Sequence, residues 1–298
     1  MKRLVSSTLI AALITLAACS NEAPWESFKP LPATLGTQTL PLGSVLIPAK
    51  IDGIGWSWLQ LDFGAERTVL YGGTIARYHV PLGDDKRLHG ALGAHETSFD
   101  GVVSGTIDGG MVDGHPIVGT LGADYFVAHA LALDFAHSRY ALAPTVARLP
   151  RETADVAFVP MRYETTARYQ NKLVLTAQIG ARRFERVLYD LGSSPFALVV
   201  NARDWPTVSG RAVTDSRNVV VHATQFGTPV TLVGAAIPGT LQIGSATLAD
   251  PVVYAVTAGG GAAAIVDPFD AVVGNALFAR ALVVVDVASG RLGMKVAP

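Results

Sequence analysis

The residues best suited to chemistry in this chain come as a matched pair. Leu61-Asp62-Phe63-Gly64-Ala65 and Tyr189-Asp190-Leu191-Gly192-Ser193 each set an aspartate before an apolar residue and a glycine, 128 positions apart. Matched carboxylates in two halves of a chain point to one shared site. Two carboxylates held about 3 Å apart cannot both ionise, so they share a single proton over a wide pH range. A pair of this kind supplies a general base and a general acid at one place, and its two protonation steps belong to the pair, not to either residue. Gly64 and Gly192 suit turns in which the backbone must approach a neighbour without a Cβ in the way.

The repeat extends into the elements that must position these aspartates. Ile51 precedes Asp62 by the same 11 residues that separate Ile179 from Asp190. Further on, the run Val118 to Phe126 is echoed by Asp270 to Phe278, and Gly122/Gly274, Phe126/Phe278 and Asp134/Asp286 are all offset by 152. Short runs rich in Val, Ile, Leu, Phe and Tyr, broken by Gly, Asp, Asn and Pro, predict a mostly β protein. Strands are expected at Ser44 to Lys50, Trp56 to Asp62, Gly101 to Ile107, Leu131 to Phe135, Lys172 to Ile179, Arg186 to Asp190, Val219 to Thr224, Thr228 to Val233, Pro251 to Val256 and Leu282 to Asp286. Short helices are expected at Gly73 to Tyr78, Gly122 to Ala128 and Asn275 to Ala281. Pro144, Pro150 and nearby charges interrupt the strand pattern, which divides the chain into lobes at 41–150 and 151–298. Asp134 and Asp286 each end an apolar strand and are read as turn caps. Asp124 and Asn275 lie at helix starts, where N-terminal capping accounts for them, and Trp56 and Trp58 alternate on a strand and are read as packing residues.

With these residues in place, the chain resembles the pepsin-like aspartic peptidases, with retropepsin-type features in each half. The matched set is Leu61-Asp62-Phe63-Gly64 with Thr120-Leu121-Gly122 in the first lobe, and Tyr189-Asp190-Leu191-Gly192 with Val272-Val273-Gly274 in the second. The segment from Phe278 through Asp286 to Gly290-Arg291-Leu292-Gly293-Met294 resembles the closing strand of such proteins, and the similarity spans roughly residues 44 to 296. The resemblance implies two pseudo-symmetric β-barrel-like lobes of the acid-protease type around a central cleft. It also implies an endopeptidase acting on peptides or unfolded protein, with Asp62 and Asp190 as the catalytic dyad, Gly122 and Gly274 packed beneath it, and no cofactor. Ser193 is placed to hydrogen-bond Asp190, whereas Ala65 offers Asp62 no such bond.

Two departures from the family pattern stand out. Phe63 and Leu191 replace the hydroxyl residues that, in the family, reach across to the opposite lobe and hold the aspartates in plane. Apolar side chains there are expected to meet across the pseudo-dyad and to favour protonated carboxyls by drying the site. The hairpin expected to cover substrate, Leu88 to Ile107, contains His95 and Phe99 as candidate binding residues but no tyrosine. These departures support an alternative: a two-lobed binding or scaffold module that has lost catalysis.

The N-terminus reads as an export signal, with Lys2 and Arg3 before an apolar stretch from Leu4 to Leu16. Leu16-Ala17-Ala18-Cys19 resembles a bacterial lipobox, which implies removal of residues 1–18, lipidation of Cys19 and, with Ser20 following, an outer-membrane attachment facing the periplasm. Residues 19–40 read as a tether. Cys19 is the only cysteine, so its lipidation leaves no thiol for a disulfide, a nucleophile or a metal site. Removing Lys2 and Arg3 from the 23 basic residues leaves 21 against 24 acidic ones, and no basic run invites a nucleic acid. The histidines are dispersed with no His-Glu-x-x-His spacing, so no metal is implied. Gly192-Ser193-Ser194-Pro195 lacks the second glycine of a serine-hydrolase elbow. The Ala258 to Ala264 glycine-rich run lacks a following Lys-Ser/Thr and is read as a surface loop. A monomer is expected.

Overall fold

A computed structural model describes residues 22–35, 38–80, 82, 84, 87–93, 95–99, 102–167, 169–193, 195–225, 228–258 and 268–296. Residues 1–21, which include the stretch read as an export signal and Cys19, and the glycine-rich run from Gly259 to Ala264 lie outside the described residues. So do the side chains of His95 and Ser193.

The alternation of apolar and polar residues folds as a mostly β protein whose two halves repeat one another strand for strand. In the first lobe the strand Gln38–Ile51 pairs antiparallel with Gly55–Leu61, Ile47 opposite Leu59. In the second, Lys172–Ile179 pairs with Arg182–Tyr189, Leu175 opposite Val187. Each member of the second pair stands 128 positions after its counterpart, so the sequence offset is also the structural register. His115–Leu121 then lies parallel to Gly55–Leu61, Leu121 opposite Leu61, and Ala271–Val273 lies parallel to Arg182–Tyr189, Val273 opposite Tyr189. Both inserted strands also pair antiparallel on their other edge, with Val69–Tyr71 and with Leu198–Asn201. Each aspartate therefore leaves the end of a central strand that is flanked on both sides, a position where its backbone has little freedom.

A six-stranded sheet joins the lobes, in the order Glu26–Ser27, Arg139–Ala143, Ala130–Asp134, Ala281–Asp286, Arg291–Val296, Ala157–Pro160. Its central pair places Ala132 opposite Val284, two residues that are themselves 152 positions apart. The pseudo-twofold axis thus passes through this pair. Asp134 and Asp286 end the central strands and cap the following turns, accepting the His137 amide at 3.3 Å and the Ser289 amide at 3.1 Å. Each also receives an arginine Nε at 2.8 Å, from Arg139 and Arg291. Those arginines lie over the rings of Trp25 and Phe158, so the repeat continues into their packing.

One hydrophobic cluster runs through both lobes and includes Leu61, Phe63, Leu121, Phe126, Tyr189, Leu191 and Phe278. Several elements differ from expectation. Residues 22–35, read as part of a tether, are built into the fold: Glu26–Ser27 edges the six-stranded sheet and Lys29–Leu35 pairs with Gln38–Ile51. Pro and polar content misled there, because an edge strand tolerates both. Of the strand expected over Gly101 to Ile107, the described residues form Val102–Ser104 and leave Gly105 to Ile107 outside it, and an unforeseen helix occupies Trp205–Ser209. The short helices after Gly122 and Gly274 are single 3₁₀ turns, Ala123–Val127 and Asn275–Phe278. Among the described residues no helix is long and apolar enough to cross a membrane.

Candidate active site

Strand pairing delivers the two aspartates to one place. The Asp62 amide donates to the Leu121 carbonyl at 3.1 Å and the Asp190 amide to the Val273 carbonyl at 2.9 Å, so each turn begins as a continuation of the parallel strand pair beneath it. Gly122 then seals the first turn from below. Its amide donates to Thr68 Oγ1, and a Cβ at this position would run into the Arg67 carbonyl group. Asp124 completes the lock by accepting the Thr68 amide and hydroxyl at 2.9 and 3.1 Å. It also accepts the adjacent Tyr125 amide at 2.9 Å, but Gly122 holds the cap position and no side chain caps this turn, nor the one at Asn275; the expected helix-start capping gives way to a tie to the loop that carries Asp62. In the second lobe the Gly274 amide donates to the Phe196 carbonyl at 3.2 Å.

The turns face each other across the pseudo-twofold axis with both aspartates 5% exposed. Asp62 and Asp190 share a side-chain hydrogen bond. The Gly64 amide donates to Asp62 Oδ1 at 2.7 Å, and the Gly192 amide, from the opposite lobe, donates to the same oxygen at 3.0 Å and to Asp190 Oδ1 at 2.8 Å. The glycines are required by contact. A Cβ on Gly192 would sit 2.5 Å from Asp62 Oδ2, and one on Gly64 would fall on Asp190 Oδ1. Each glycine therefore supports its own aspartate and lies against the other.

Burial pushes the Asp62 carboxyl well above the usual aspartate range; the Asp190 charge and the shared hydrogen bond push it the same way. The two glycine amides oppose that shift and are outweighed. The site consequently favours a state with one proton on the pair.

No known family model matches the chain, and no curated protein matches it. Among solved structures, basic 7S globulin from soybean is similar, with a TM-score of 0.47 and 11% identity over 92% of this chain and 95% of that one.

Phe63 and Leu191 are fully buried. The Phe63 ring meets Phe126 of its own lobe edge-on at 5.2 Å and Tyr189 of the other lobe at 5.4 Å. Tyr189 in turn packs on Phe278 and donates from its hydroxyl to Asn275 Oδ1 at 3.2 Å. Phe63 thus crosses the axis through an aromatic contact with Tyr189, where a contact with Leu191 was expected, and that contact lies within the shared core, leaving the carboxyls together. Leu88–Leu92 and His95–Phe99 do form a hairpin. Phe99 is a core residue, 1% exposed and stacked on Tyr125, because its position on the strand turns it inward. That corrects the expectation that it presents a ring to a ligand. Ser193 lies in the 3₁₀ turn Leu191–Ser193.

Residues that the sequence reading passed over also reach this site. Tyr71, nine residues after Asp62, is buried with its hydroxyl 2.5 Å from Thr120 Oγ1. Burial raises its pKa, and the nearby Asp62 charge adds to the rise. Nothing in the local sequence marks Tyr71, since its partner is 49 residues away. Lys172 and Asn171, from the second lobe, bond to the backbone of the Asp62 turn. Among the described residues no group of three or more His, Cys, Asp or Glu side chains is arranged to hold a metal.

Proposed function

We propose that this protein is an aspartic endopeptidase, hydrolysing peptide bonds with a water activated between Asp62 and Asp190. The observation that carries the reading is the buried, hydrogen-bonded carboxyl pair, cradled by Gly64 and Gly192 amides and holding Asp62 in its protonated range. In the singly protonated pair, the ionised carboxylate takes a proton from water as the water oxygen bonds to the carbonyl carbon. The protonated carboxyl gives its proton to the carbonyl oxygen as the C=O π pair moves there. In the collapse the C–N bond breaks with its electron pair leaving on nitrogen, which takes the proton held by the pair, while one hydroxyl of the tetrahedral species gives its proton to the other carboxyl as C=O re-forms, so the pair again holds one proton. The glycine amides keep the carboxyls aligned throughout, and alignment of this kind is worth large rate factors.

The test is cleavage of a denatured-protein or peptide library by the soluble chain lacking residues 1–19, assayed from acidic to neutral pH. Wild type should cleave best on the acidic side, and Asp62→Asn and Asp190→Asn should each abolish cleavage. Wild-type turnover that survives in both variants contradicts the assignment. One observation favours a second reading, a peptide-binding module without turnover: the buried Phe63 and Leu191 put no hydroxyl at the position directly after either aspartate. That reading predicts peptide binding without products at any pH.

The Leu16-Ala17-Ala18-Cys19 sequence supports a location for this activity, a lipid-anchored protein facing the periplasm, with Ser20 directing it to the outer membrane. Metabolic labelling with a fatty acid should mark wild type and spare Cys19→Ser.

A further inference from the structure

We propose that Lys172 is a positioning residue for the aspartate pair, taking over from the second lobe the cross-lobe hold that Phe63 and Leu191 cannot supply through hydroxyls. The proposal rests on the peptidase reading for its kinetic part alone.

Lys172 opens the strand Lys172–Ile179 and is 91% buried, a rare state for a lysine unless it has partners. Its ammonium donates to the Gly64 carbonyl oxygen and stands 3.7 Å from Glu66 Oε1. Gly64 is the residue whose amide supports Asp62 and whose Cα lies against Asp190, so a bond that fixes the Gly64 carbonyl fixes both contacts.

The neighbours of Lys172 strengthen the hold on the same turn. Asn171 Nδ2 donates to the Glu66 carbonyl at 2.7 Å, and Arg67 donates to Gln170 Oε1 at 2.9 Å. Asn171 is itself held by the Tyr163 hydroxyl at 2.5 Å, and its φ of 54° lies in the left-handed region that asparagine tolerates better than most residues. Gln170, Asn171 and Lys172 thus lay three consecutive polar side chains along residues 64–67. The repeat encodes no second ammonium of this kind, because the residue 128 positions before Lys172 is Ser44. A charge-assisted bond to a backbone carbonyl is stronger than a neutral one and suits a strap that spans two lobes.

The experiment uses ¹⁵N-labelled soluble protein lacking residues 1–19 and reads hydrogen exchange at the Gly64 amide together with kcat and KM. Lys172→Met should speed Gly64 exchange at least about tenfold relative to amides of the six-stranded sheet, as expected for loss of a bond to a charged group. It should also lower kcat by roughly tenfold to 100-fold with KM nearly unchanged, since misplacement acts on the chemical step. Lys172→Arg, which keeps a cation able to reach the same carbonyl, should recover part of both effects. Asn171→Ala should move both in the same direction by less, and it keeps the question decidable should Lys172→Met fail to fold. Gly64 exchange in Lys172→Met or Asn171→Ala equal to wild type overturns the proposal. A wild-type protein without turnover removes the peptidase reading, and Gly64 exchange then still decides the role of Lys172.

Discussion

Phe63 offers the sharpest energetic test of how the lobes are held together. Its ring is fully buried and meets Phe126 and Tyr189 edge-on at 5.2 and 5.4 Å. Truncating a buried phenylalanine to alanine costs about 3–5 kcal/mol, from lost transfer energy plus the cavity left behind. Two aromatic contacts, each worth about 0.5–1.5 kcal/mol beyond burial, place Phe63→Ala in the upper half of that range. Phe63→Leu, which keeps most of the volume, should cost far less, about 1.5 kcal/mol or under for the nearly conserved bulk. Urea unfolding of the soluble chain, followed by tryptophan fluorescence, gives both values. The cross-lobe part is isolated by a double-mutant cycle with Phe63→Leu and Tyr189→Leu, which should return a favourable coupling of about 0.5–1.5 kcal/mol. A coupling of zero, or a loss below about 1.5 kcal/mol for Phe63→Ala, would refute the idea that this ring ties the lobes beneath the aspartates.

Two further predictions concern the pair itself. Gly192→Ala sets a methyl 2.5 Å from Asp62 Oδ2, so it should displace the carboxyls and cut kcat by about 100-fold, measured as cleavage per folded molecule. Unchanged kcat would show that the glycine contact is incidental. The raised Asp62 pKa also has a consequence for stability. A carboxyl whose folded pKa lies above its unfolded value contributes stability below the unfolded pKa, and that contribution is lost as pH rises through the folded pKa. Between those limits wild type should lose about 1.4 kcal/mol per pH unit from this group. Asp62→Asn, which cannot ionise, should show a flatter profile and a higher Tm than wild type at neutral pH. A pH profile for Asp62→Asn as steep as that of wild type would contradict the shift.

The repeated motifs exposed much of this in advance, and the reason is physical. Pseudo-symmetry forces equivalent residues into equivalent environments, so the 128 offset carried the strand register and the 152 offset carried the turn-capping Asp134 and Asp286. The same offset relates Arg139 to Arg291, which the sequence could have yielded had the charged turn residues been compared. Lys172, Asn171 and Tyr71 were not legible, because their roles arise from contacts 49 to 108 residues away and break the repeat. Phe99 was misread because alternation along a strand leaves its facing undetermined until the hairpin has a sheet to pack on. Residues 22–35 were misread because proline-bearing edge strands resemble linkers in composition.

The central claim is that Asp62 and Asp190 form one protonation unit, and ¹³Cγ-aspartate NMR on the soluble protein tests it most directly. The Asp62 carbon should report a proton retained well above the ordinary aspartate range, and Asp190→Asn should bring its midpoint down, since the Asp190 charge is one cause of the rise. Titration of Asp62 within that ordinary range, unaffected by asparagine at position 190, would contradict it.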